Sequence, residues 1–137
     1  MKYLNKYTKD EHRVYSLLYH MIFVVKYKKP VFLNRDDITN DLKSQLEIIA
    51  KTFDVDIIEQ ECGNDHIHIL FSAKPTLEIT KFINNMKGHS SRFLRREYKE
   101  YLEDKLSGDS FWSSSYFLST TGNVSLDILR QYIEDQK

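Results

Sequence analysis

This chain is poor in the residues that staple, break or kink a fold. Its 137 residues include one cysteine, Cys62, which excludes a disulfide framework and a thiolate metal cluster. Two prolines, Pro30 and Pro75, and four glycines leave no proline-rich linker or low-complexity tract. No apolar run approaches the roughly 20 residues of a membrane helix, and the longest, around Met21 to Val25, is strand-sized. Residues 1–13 are polar and lack the apolar stretch of a secretory leader. These absences predict one cytoplasmic domain spanning residues 1–137, with no membrane partner.

An excess of charge of one sign is also missing, because twenty Lys and Arg balance twenty Asp and Glu. The balance conceals segregation. Residues 1–29 carry seven basic side chains against two acids, and residues 81–99 carry six against one. Residues 36–65 carry nine acids against two lysines. Screening makes such local patches matter more than the total, so a phosphate-binding surface is compatible with zero net charge. Plain solvation of exposed helix faces is the alternative.

Periodicity supplies the elements. Leu17 to Tyr27 is apolar, β-prone and stopped by Pro30, which predicts a buried strand. Ile38, Leu42, Leu46 and Ile49 form a helical stripe within Asp36 to Phe53. Asp54 to Cys62 and His66 to Ala73 read as two strands joined by the Gly63-Asn64-Asp65 turn, hence an antiparallel hairpin. After Pro75 and Thr76, Ile79, Phe82, Ile83 and Met86 begin a helix that becomes basic from Lys87 through Arg96. Gly88 weakens its middle by about 1 kcal/mol relative to alanine. Phe111 to Ser119 reads as a fourth strand, Gly122-Asn123 as a break, and Ser125 as the cap of a last helix with Asp127 in its first turn. The order β-α-β-β-α-β is the α+β, ferredoxin-like pattern of an antiparallel sheet with two helices on one face, here with an additional C-terminal helix. That arrangement alone says nothing about function.

Chemistry enters at His66-Ile67-His68. Side chains alternate along a strand, so the two histidines share a face about 6.5–7 Å apart, and Ile67 and Ile69 turn to the core. Two imidazoles on a rigid strand can converge on one divalent ion when a third ligand arrives from elsewhere. A polar strand face that happens to hold histidines is the alternative. Tyr132 and Gln136 lie one turn apart on one face of the last helix, beside the stripe of Leu126, Leu129 and Ile133. On periodicity alone Tyr132 is better read as a packing residue. A phenol, with its pKa near about 10, becomes a useful nucleophile beside a cation. A metal on His66 and His68 would provide one. Gln136 would add an oxygen ligand, a donor set suited to Mg²⁺ or Mn²⁺.

The His66-Ile67-His68 triplet resembles the HUH motif (His, bulky hydrophobic, His) of single-strand DNA endonucleases. The chain from Tyr19 onward is similar to the single-tyrosine HUH transposases, TnpA-type, of small bacterial insertion sequences. The likeness runs through five segments in order: HMIFVVKYKK from His20, GNDHIHILFSAKP from Gly63, MKGHSSRFLRREY from Met86, FWSSSYFLSTTG from Phe111 and SLDILRQYIEDQ from Ser125. The resemblance implies Tyr132 as nucleophile, His66 and His68 as the metal pair and Gln136 as third ligand on the nucleophile's helix. It implies cleavage and rejoining of single-stranded DNA at hairpin-marked element ends, through a 5′-phosphotyrosine. It further implies a homodimer in which the tyrosine helix of one subunit can complete its own site or the other's, a swap that a joint at Thr120 to Asn123 would allow. The first eighteen residues match least.

Lys26, Lys28, Lys29, Lys87, Arg92, Arg95 and Arg96 are the candidate DNA contacts, and Tyr27 and Phe93 the candidates for stacking on bases, each with internal packing as alternative. His20 reads as a core or site-lining histidine, Asp65 as a turn residue able to orient an imidazole, Trp112 as packing and Cys62 as structural. The rival functions are an HUH nicking endonuclease of the replication-initiator or relaxase kind, a non-catalytic or domesticated nucleic-acid binder of the same fold, and a metal sensor. The last explains neither Tyr132 nor the basic helix.

Overall fold

The structure, a computed structural model, describes residues 8–10, 13–15, 17–108, 110–120 and 126–136, the side chains of 8–15 and 126–129 excepted. A short antiparallel hairpin, β1 (Thr8–Asp10) and β2 (Arg13–Tyr15), precedes the main sheet. The sheet is built from β3 (Leu17–Val24), β4 (Asp56–Cys62), β5 (His66–Ala73) and β6 (Phe117–Ser119), in the order β4-β5-β3-β6 and antiparallel throughout. Helix α1 (Asp36–Thr52) joins β3 to β4, and α2 (Ile79–Glu97) with α3 (Lys99–Lys105) joins β5 to β6. This is the ferredoxin-like arrangement expected, extended by α4 (Leu126–Asp135). The break at Gly122-Asn123 and the Ser125 cap lie outside the described residues.

Alternation along the central strands divides the molecule. Met21, Phe23 and Val25 with Ile67, Ile69 and Phe71 meet Ile38, Leu42 and Leu46 of α1 and Phe82, Ile83 and Met86 of α2 in the main core. The other sheet face is sparsely covered. There Ile22 and Val24 are buried beneath Phe117 of β6 and Tyr132 and Ile133 of α4.

Two elements differ from expectation, and α3 is an addition to it. The first strand stops at Val24, and the chain enters a 3-10 turn, Lys26–Lys28, in which Tyr27 (φ 60°) and Lys28 (φ 54°) are left-handed. Such backbone costs on the order of 1–3 kcal/mol for each non-glycine residue. The fourth strand shrinks from Phe111–Ser119 to Phe117–Ser119, with a single bridge from Trp112 to Val25. Phe111 and Trp112 are consecutive and both buried, which a strand with one covered face cannot accommodate. The indole N–H of Trp112 instead donates to Ser90 Oγ at 3.0 Å. The long helix breaks at Tyr98, whose hydroxyl donates to the Asp41 carboxylate on α1, and α3 follows as a separate segment. Gly88 does not interrupt α2.

Candidate active site

His66 and His68 stand on the face of β5 away from α1 and α2, opposite Val24 and Ile22 of β3. They form the floor of a cavity of about 210 Å³ lined also by Ile22, Glu61, Cys62, Gly63, Arg130 and Ile133. Glu61 is the β4 residue paired with His68. The alternation argument therefore places both imidazoles as expected, with Ile67 and Ile69 fully buried behind them.

Each imidazole is oriented. His66 Nδ1 lies 2.8 Å from Asp65 Oδ1, so Asp65 is an imidazole-orienting carboxylate as well as a turn residue. With the proton on Nδ1, the lone pair sits on Nε2, the tautomer a metal ligand needs. Gly63 makes room for this ring, since a Cβ there would lie 2.8 Å from His66 Nδ1. His68 Nε2 lies 3.0 Å from His20 Nδ1, and the two rings are stacked at 5.2 Å between centroids. His20 is thus a site-lining residue, and its own Nε2 is buried without a partner. Burial, and then the neighbouring His20, lower the pKa of His68, against the pull of Glu61 and Glu59. Burial likewise lowers that of His20, opposed by Glu59. Both shifts favour the neutral ring, the form with a lone pair to give. Metal coordination through His68 Nε2 would replace its contact with His20.

Among the described residues no three His, Cys, Asp or Glu side chains form a metal-ready group. Tyr132 lies on α4, which crosses the same sheet face, whereas Gln136, expected on that helix, follows its last residue, Asp135; neither lines the histidine cavity. The Tyr132 ring packs on Phe117 at 5.4 Å between centroids. Its hydroxyl lies 3.3 Å from Ser115 Oγ. Burial raises its pKa, partly countered by that serine. Gln136 Oε1 accepts from Ser115 Oγ at 2.8 Å and Ser113 Oγ at 3.3 Å. The helix thus turns Arg130 and Ile133 to the histidines, and holds the phenol and amide together on a serine pair to one side.

The basic residues divide. Lys29, Arg92 and Arg96 are exposed. Lys28 Nζ reaches the Glu134 carbonyl at 3.5 Å, and Lys26 lies half-buried beside Tyr27. Lys87 donates to the Ser113 carbonyl at 2.7 Å, and burial lowers its pKa. Arg95 donates to the Ser110 carbonyl at 2.7 Å. These two hold the segment before β6 as well as adding charge. Phe93 packs against the main core, whereas Tyr27 is 63% exposed. The sequence marks Gly63 only as a turn residue and assigns no chemistry to Ser90, Ser113, Ser115 or Arg130; their contacts across the fold distinguish them.

Comparison with known proteins bears on the same span. Residues 13–136 match the family model described as "Transposase IS200 like". The ISDra2 transposase TnpA of Deinococcus radiodurans is 35% identical over 123 residues, covering 90% of this chain and 86% of that protein. The transposase for insertion sequence element IS200 of Salmonella typhimurium is 30% identical over 125 residues, covering 91% and 80%. Among solved structures, a crystal structure of a candidate transposase from Deinococcus radiodurans R1 superposes with a TM-score of 0.83 at 30% identity, covering 94% of this chain and 97% of that one.

Proposed function

This chain belongs to the IS200-like transposase family, and on that footing we propose that it cleaves and rejoins single-stranded DNA by transesterification at hairpin-marked element ends. The observation that carries the reading is the placement of His66 and His68 on the one sheet face crossed by the helix that bears Tyr132 and leads into Gln136. Tyr132 Oη attacks a scissile phosphorus, the bond to the 3′ oxygen breaks, and that oxygen leaves as a hydroxyl with the phenol's proton. The 5′ side remains as a phosphotyrosine. A second 3′-hydroxyl then attacks the same phosphorus and the phenol departs, so the bond energy is conserved without a nucleotide cofactor.

His66 through its Asp65-set tautomer, and His68 through its neutral ring, fit a divalent ion. Gln136 would be the third ligand once free of Ser113 and Ser115. A bound Mg²⁺ or Mn²⁺ would neutralise charge on the phosphate oxygens in the transition state. This chain's own part is to fix the imidazoles, to deliver the phenol and to hold the strand's phosphates with Lys26, Lys28, Lys29, Lys87, Arg92, Arg95 and Arg96. In the docked position of α4 the phenol meets Ser115, not the histidines. The reaction therefore calls for α4 to shift, or for the corresponding helix of a partner subunit to enter the site in a homodimer.

The test mixes the protein, Mg²⁺ or Mn²⁺, and single-stranded DNA spanning the repeats of the flanking element. A covalent protein–DNA band on a denaturing gel, absent with Tyr132→Phe, is the expected result. Cleavage surviving in Tyr132→Phe removes the tyrosine from the chemistry. Salt-sensitive binding with no covalent band in the unsubstituted protein supports a non-catalytic binder instead.

A further inference from the structure

We propose that Tyr27 is a stacking platform for an unpaired base of the single-stranded DNA handled at the neighbouring histidine pair, an inference that rests on the reading above. Tyr27 is the most exposed large apolar side chain among the described residues. It is not exposed through looseness. The Lys26 N–H donates to the Phe111 carbonyl at 2.9 Å, the Lys28 N–H to the Val25 carbonyl at 2.8 Å and the Val31 N–H to the Lys29 carbonyl at 2.8 Å. Within this bonded turn the left-handed backbone at Tyr27 and Lys28, rarely adopted by bulky residues, sends the ring outward.

Its position joins it to the site. Val24 pairs with His66, and the Val25 N–H donates to the Asp65 carbonyl at 2.8 Å, so the turn leaves β3 beside the histidine hairpin. Lys28 Nζ touches the Glu134 carbonyl, near the C-terminal end of the tyrosine helix. The turn that carries the ring therefore stands where the histidine strand and the nucleophile's helix come together.

The surroundings fit a nucleotide. Lys26 Nζ lies 5.5 Å from the Tyr27 ring centroid, and Lys28 and Lys29 follow in sequence. An aromatic face takes a base while adjacent ammonium groups take the phosphates on either side. A duplex stem keeps its base faces within its own stack. Tyr27 thus selects the unpaired part of the substrate and not the hairpin stem.

The test measures fluorescence anisotropy without divalent metal, using labelled dT20 and an equally long abasic sugar-phosphate 20-mer. Tyr27→Asn removes the ring with a residue that tolerates left-handed backbone, and Tyr27→Trp retains an aromatic face. Tyr27→Asn is expected to weaken dT20 binding by about tenfold while leaving the abasic strand unaffected. Tyr27→Trp should bind dT20 as the unsubstituted protein does. Equal weakening of both strands, no weakening of either, or a dT20 loss in Tyr27→Trp matching that of Tyr27→Asn overturns the platform. Failure of the unsubstituted protein to bind either strand overturns the platform, whereas the single-strand reading itself stands or falls on the covalent band described above.

Discussion

The imidazole of His66 lies directly over Gly63, in the space where any other residue would carry its Cβ. The Gly63 N–H also donates to the His66 carbonyl at 2.9 Å, closing the hairpin that presents the ring. A methyl group at residue 63 would push the imidazole aside. Gly63→Ala should therefore weaken Mn²⁺ binding, read by calorimetry or electron paramagnetic resonance, by about tenfold or more, as loss of an orienting partner does elsewhere. Its φ is not left-handed, so the thermal midpoint should hardly move. Unchanged Mn²⁺ affinity would separate the ring's placement from metal binding.

Ser115 holds both the Tyr132 hydroxyl and the Gln136 amide away from the histidines. Ser115→Ala removes one hydroxyl shared between them, a contribution of about 1 kcal/mol. Formation of the covalent protein–DNA band should speed up about two- to fivefold. A slower reaction in this variant would place Ser115 among the groups that assist the chemistry.

Ser90, buried in the middle of α2, accepts the Trp112 indole N–H and donates to the Met86 carbonyl. Ser90→Ala leaves that indole donor buried with no acceptor. The expected loss is about 1–3 kcal/mol, seen as a lower urea midpoint at unchanged slope. An unaltered midpoint would mean that the indole finds another acceptor.

Burial pushes the Cys62 thiol up to about 11 from an ordinary value of 9.0. A raised thiol pKa means less thiolate at any pH below it. At pH 8 Cys62 should alkylate with iodoacetamide about a hundredfold more slowly than an unperturbed cysteine, because the thiolate is the nucleophile. Labelling at the rate of a free thiol would contradict its burial at the strand end.

The sequence revealed most where one rule governed. Strict alternation in β5 gave the facing of His66 and His68, and turn residues at 63–65 gave the hairpin. Where two demands competed, the pattern misled. Phe111 to Ser119 is β-prone along its length, but the burial of both Phe111 and Trp112 overrode pairing with β3. The break at Tyr98 carries no glycine or proline, because it is fixed by a hydroxyl reaching α1. Lys87 and Arg95 count as surface charge in a composition, yet their donors serve carbonyls some fifteen to twenty-six residues away. The position of Tyr132 is of the same kind. Residue spacing put it on one helix face with Gln136, while the choice between histidines and serines belongs to tertiary contacts.

Among the described side chains, α4 meets the sheet chiefly through Tyr132 and Ile133 on Ile22, Val24 and Phe117, whereas α1 and α2 share the large core on the opposite face. The two faces then open at different free energies. Amides of α4 should exchange with deuterium through local opening, while those of β3 and β5 wait for global unfolding. On the proposed reading, with Tyr132 as nucleophile, so narrow a contact between the described side chains of α4 and the sheet would let the helix pass to a partner subunit while the scaffold holding the histidines stays intact.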